Sequence, residues 1–182
     1  MFIAKNNDLI ILAKDTREEL EQALQFMVYT DIEETDKNYI LYNGSYVTKE
    51  ELLPNLKEEK LKENETIREQ FLVSGVEYKD ILWDSDIEQK LNISIQVSAM
   101  GDEDIVTWVA MDGVTSLECT KADLLAIGEL LTKMTAYVWQ FKNPAIKTAI
   151  ANAQTIEELE EIQVVYDMGE INEIEETEEN EN

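Results

Sequence analysis

The chain has 182 residues, with 40 Asp and Glu against 15 Lys and Arg, and a formal net charge of −25. That balance excludes ordinary nucleic-acid binding, which needs a basic face to release counterions from phosphates, and it disfavours adhesion to anionic membranes. The absence of histidine and the single cysteine, Cys119, exclude an internal disulfide, a Ser-His-Asp triad and a histidine-ligated zinc, so neither metal nor cofactor is expected.

In chain order, "MFIA" and "LIILA" read as two short strands around a polar turn, Lys5 to Asp8. The same polar run stops the apolar start short of a signal-peptide core. No stretch reaches the length of a membrane span, and the chain is expected to be cytoplasmic where it is made. "TREELEQALQFMVY" predicts a helix with a Thr16/Glu19 capping box and Leu20, Ala23, Leu24, Met27 and Val28 on one face. "YILYNGSYV" predicts a hairpin turning at Asn43-Gly44. Residues 1–50 therefore form a small α+β module of strands, helix and hairpin.

Residues 51–73 are helical in propensity but polar, with sparse apolar positions at Leu56, Leu61, Ile67 and Phe71. Pro54 suits a first helical turn. Such a helix is expected to connect two modules or to lie against a partner.

"GVEYKDILW" then reads as a strand, and "DSDIEQKL" follows it. Asp84, Asp86 and Glu88 stand at alternate positions, as at the start of a calcium loop. Such a loop also needs a glycine at its sharp turn and a distal bidentate glutamate, and neither follows. Ser85 and Glu88 have capping-box spacing, with Asp86 in the first turn, so the stretch predicts a turn that opens a helix. Likewise "GDEDI" (101–105) predicts a loop with Asp102 and Asp104 in solvent. "IVTWVAMDGVTSLECT" predicts a second hairpin around Asp112-Gly113, with Cys119 as a small buried hydrophobe.

Thr120 and Asp123 have N-cap and N3 spacing before the longest apolar helix, "KADLLAIGELLTKMTAYVWQF". Leu124, Ile127, Leu131, Met134, Val138 and Phe141 step by three and four along it, a heptad seam of about two and a half repeats. The seam reads either as the central helix of a monomer core or as a surface for self-association into a homo-oligomer. Asn143-Pro144 is expected to end this helix and start another, carrying Ile146, Ala149, Ile150 and Ala153. Thr155 and Glu158 cap a last short helix. Residues 74–166 thus form a second α+β module of short strands, a hairpin and a helical hairpin. Residues 167–182 hold eight of the acids and none of the bases, and are expected to be a disordered acidic tail. Residues 1–166 still carry −17, so the acidity belongs to the folded part as well.

Taken together, the charged helix "KLKENETIREQFL", then "GVEYKDILWDSD" and "VTWVAMDGV", then "LECTKADLLAIGELLTKMTAYVWQF" and "IKTAIANAQTIEELEEI", resemble a domain of unknown function common in tailed bacteriophages and prophages. That domain sits at the C-terminal end of small proteins of the tail-fibre region, including tail-fibre and tail-fibre-assembly proteins. The resemblance spans residues 60–163 and brings no catalytic residues with it. It implies a structural or accessory protein of the virion tail that binds other tail or fibre proteins. A tail-fibre assembly chaperone is an alternative. A further one is an acidic mimic of DNA that inhibits host defence, reversing the electrostatics of a DNA binder. Catalysis is not expected: only paired carboxylates could supply it, and no pair has an apolar pocket around it in the sequence.

Overall fold

The computed structural model describes residues 1–7, 9–25, 27, 31–37 and 39–169. The fold is α+β, with small antiparallel sheets set between helices. Contacts divide the chain into two units: Met1–Lys60 with Ile150–Glu161, and Leu61–Ala149 with the segment that begins at Ile162. The first division falls inside the expected connecting helix.

In the first unit, β1 (Phe2–Asn6) pairs with β2 (Leu9–Lys14) and, on its other edge, with β3 (Asp31–Glu34). Strand β3 is not anticipated in the sequence, because three of its four residues are acidic. It forms on the free edge of β1, where Lys5 Nζ donates to Glu33 at 2.6 Å. Helix α1 (Arg17–Ala23) opens on the expected capping box: Thr16 Oγ1 accepts from Glu19 N at 3.2 Å, and Glu19 accepts from Thr16 N at 3.3 Å. It packs Leu20 and Leu24 against Ala4. The helix is shorter than expected, with Leu24 as its C-cap; Met27 is exposed, and Val28 lies outside the described residues. Strands β4 (Tyr39–Tyr42) and β5 (Ser45–Thr48) form the expected hairpin. Asn43 and Gly44 both take positive φ, 49° and 83°, as a type I′ turn demands.

Helix α2 (Lys49–Leu72) begins before Pro54 rather than at it. Thr48 starts it by a reciprocal cap with Glu51, at 3.2 and 2.9 Å, which leaves Pro54 in the second turn with one ladder bond missing. The helix buries side chains along its length despite its polarity: Leu52 in the first unit, and the polar Asn64 and Arg68 in the second.

In the second unit, "GVEYKDILW" is a hairpin rather than one strand. β6 (Val76–Tyr78) and β7 (Ile81–Trp83) pair across Lys79 and Asp80, both at positive φ (53° and 58°). Two non-glycine residues in this region are costly, and the side-chain bonds of Lys79 described below offset the strain. Helix α3 (Ile87–Ala99) is capped by Asp86, whose Oδ1 accepts from Gln89 N at 2.7 Å, not by Ser85. Ser85 is buried instead: its Oγ accepts from Gly75 N and donates to the Leu72 carbonyl, both at 2.9 Å, tying the end of α2 to the start of α3. β8 (Ile105–Val109) and β9 (Ser116–Thr120) form the expected second hairpin.

Helix α4 (Lys121–Ala136) does not end at Asn143-Pro144. It passes through a π-helical stretch, Tyr137–Lys142, into α5 (Asn143–Asn152). Asn143 has helical φ and ψ, and its N–H bonds the Val138 carbonyl five residues back. The wider turn gives the Pro144 ring room that an α-turn denies it. Asn143 is not a cap, because its side chain is used in the core. α6 (Ile156–Glu161) follows, with Thr155 Oγ1 accepting from Glu158 N at 3.1 Å. The expected disordered tail, 167–182, lies outside the described residues from position 170. Among the described residues no helix is long and apolar enough to cross a membrane.

Gly75 has φ +91°, and a Cβ there would lie 2.8 Å from the Trp83 carbonyl oxygen. Gly75→Ala is therefore expected to cost roughly 1–3 kcal/mol. A denaturant titration showing an unchanged midpoint would refute that role.

Candidate functional site

The most densely bonded side chain is Asp123, at the start of α4. Its Oδ1 accepts from Lys79 Nζ at 2.6 Å and from the Tyr78 hydroxyl at 2.8 Å. Its Oδ2 accepts from Thr120 N at 2.9 Å and Thr120 Oγ1 at 2.8 Å. The Lys79 ammonium first, then the Thr120 amide, hold this carboxyl far below the usual carboxylate range. Asp123 in turn raises the pKa of Tyr78 through their hydrogen bond. Cys119 is fully buried nearby, and burial raises its thiol pKa, which favours the unreactive protonated form. A carboxylate with four donors has no lone pair left for proton transfer, so this constellation joins elements together.

The alternating acids of the WDSD corner are also used by the backbone. Asp84 Oδ1 accepts from Asp86 N at 3.0 Å, and Asp86 caps α3. Asp104 accepts from Gly101 N at 2.8 Å, and Asp102 lies 3.8 Å from Lys121. Among the described residues no cluster of three or more Cys, Asp or Glu could hold a metal.

The predicted seam faces inward. Leu124, Ile127, Leu131, Met134 and Val138 are all buried within the chain, and only Phe141 is open to solvent, at 45%. Five of the six residues of this seam therefore lie in the core of the unit. Their burial within the unit leaves them little surface to offer, and the exposed Phe141 lies in the π-helical stretch.

Two surface features take its place. The first is an apolar row on α3: Ile87, Leu91 and Ile95, at i, i+4 and i+8, are 83%, 59% and 58% exposed. Ile95 shares a cleft of about 380 Å³ with Trp108 and Val109 of β8, and the buried Trp108 Nε1 has no hydrogen-bond partner among the described residues. The second is a groove of about 540 Å³ between α3 and α4 and the π-helical stretch. Ile93, Val97, Leu131 and Trp139 form its apolar wall, with Lys90 and Gln140 among its polar groups. Sequence reasoning missed both. The signal for the row was present, as Ile87, Leu91 and Ile95 repeat every four residues, but the pattern alone does not say which face is covered.

A buried polar chain completes the unit. The Tyr166 hydroxyl donates to Asn64 Oδ1 at 2.8 Å, and Asn64 Nδ2 donates to Asn143 Oδ1 at 2.9 Å. Tyr166 also stacks on Phe71 and meets Tyr137 edge-on. Arg68 lies over the Trp139 ring, 4.8 Å from its centroid.

The chain belongs to a protein family described as a domain of unknown function (DUF4376), whose profile matches residues 55–164, more than half of its length. No curated protein and no solved structure matches it.

Removing the Asp123 carboxylate, as in Asp123→Ala, is expected to cost roughly 2–4 kcal/mol, from a lost cap and lost charge-assisted bonds. The folded-state pKa is depressed, so its stabilisation is complete above the unfolded value near 4 and drains away as pH falls below it. Urea midpoints between pH 2 and 6 are expected to fall less steeply with acid in Asp123→Asn than in the natural chain. Parallel curves would contradict the assignment.

Proposed function

We propose that this chain is a structural or accessory protein of a phage tail-fibre region, which binds other tail or fibre proteins and catalyses no reaction. The observation that carries the proposal is the exposed row Ile87, Leu91 and Ile95, continued at the exposed Val109. Contiguous apolar surface of this kind suits a protein interface. The resemblance of residues 60–163 to tail-fibre-region proteins supplies the kind of partner. The charge of −25 keeps such a chain soluble before it meets that partner.

Quantitative mass spectrometry of purified virions against infected-cell lysate tests this reading. A stoichiometric copy number in the particle is expected. Replacing Leu91 and Ile95 by serine is expected to leave stability within about 1 kcal/mol, since both are exposed, while lowering incorporation by about tenfold. Abundance in the lysate with absence from the particle would replace the reading with that of an assembly chaperone that departs.

A further inference from the structure

The groove between α3 and α4 lies roughly a quarter turn of α3 away from the exposed row, so it is a separate surface. We propose that it binds a small amphipathic monocarboxylate, an apolar body ending in one carboxyl group, with Lys90 as the counter-ion.

Its charge is the first argument. In a chain where 40 of 182 residues are acidic, no described Asp or Glu lines this groove. Three of the other clefts carry acids, Asp15 and Glu19 in one, Asp80 and Asp112 in another and Glu77 in a third, while the cleft beside Trp108 has neither an acid nor a cation. Lys90 is the groove's one cation. Its Nζ donates to Thr135 Oγ1 at 3.2 Å and makes no ion pair among the described residues. Burial lowers its pKa, and the charge of Asp86, one helical turn before it, opposes the shift. An ammonium that is partly stripped of water and makes no direct ion pair gains by accepting a carboxylate.

Shape is the second argument. The volume falls in the range of small-molecule sites, which combine apolar walls with a few placed polar groups. Antiparallel helices form it: Lys90 meets Thr135, while Ile93 comes within 3.6 Å of where a Cβ on Gly128 would stand. Ile93, Val97 and Leu131 offer cover for an apolar tail, and the half-exposed Trp139 indole stands at the same end as Lys90. A single cation with neutral donors suits a monoanion. A phosphate dianion would need a second cation against the −25 of the chain.

The test uses the full chain with decanoate and, as its uncharged counterpart, 1-decanol, in calorimetric titrations at physiological ionic strength. Decanoate is expected to bind saturably with one-to-one stoichiometry, at least tenfold more tightly than decanol. Lys90→Met keeps the stem and removes the charge; it is expected to bring the two affinities within about threefold of each other. If that variant does not fold, Lys90→Gln is read in the same way. The change in tryptophan emission on binding is expected to vanish in Trp139→Phe. Equal affinity for acid and alcohol in the natural chain, a preference for the acid that survives loss of the Lys90 charge, or no saturable binding up to millimolar ligand would each overturn the proposal. None of these outcomes bears on whether the chain enters the virion.

Discussion

The carboxylate of Asp123 is the junction on which the second unit depends. One side chain ties the β6–β7 turn to the end of β9 and to the first turn of α4. The bonds are mutually dependent. Lys79 can hold its left-handed backbone because its ammonium is engaged, and Asp123 can lie buried because four donors surround it. Taking donors away would leave the buried Asp123 carboxylate under-matched, which costs more than the bond itself contributes, whereas the half-exposed Lys79 ammonium can turn to water. The row from Leu124 to Val138 takes its position in the core from the helix that this cap starts.

A second constraint acts at the far end of the same helix. The chain Tyr166–Asn64–Asn143 places three polar side chains inside the unit, each with a named partner. A fully bonded buried network adds little net stability, but it penalises any other register. The π-helical stretch serves this arrangement. Inserting a wide turn before Asn143 changes the angular position of every later side chain, sets the Asn143 amide toward Asn64, and passes Pro144 without breaking the rod. An α-helix continued without that turn would aim residue 143 roughly 100° elsewhere.

These two constraints explain what was legible in the sequence. Thr16/Glu19, Thr120/Asp123 and Thr155/Glu158 could be read as caps because each is satisfied within four residues, and Asn43-Gly44 and Asp112-Gly113 as turns for the same reason. The Lys79-Asp80 turn was not legible, since its strain is offset by a residue 44 positions away. Ser85 read as a cap because its spacing allowed it, but its hydroxyl bridges Gly75 and Leu72, which no local pattern records. Strand β3 needed the edge of β1. The candidate sites divide in the same way: the seam was visible as an apolar period, but its direction was not, and the groove required both helices at once.

The contrast between α3 and α4 is then a contrast of faces rather than of composition. Both repeat apolar residues at helical spacing. α4 buries its row, while α3 buries only Ile93 and leaves Ile87, Leu91 and Ile95 in water. Full burial of each such side chain is worth about 1.5–3 kcal/mol, so the uncovered row holds several kcal/mol that folding of this chain does not use. Bringing two bodies of −25 together opposes association at long range, and the heptad row that could have driven it lies inside the core. A partner of lower negative charge would meet a weaker long-range opposition on the same row.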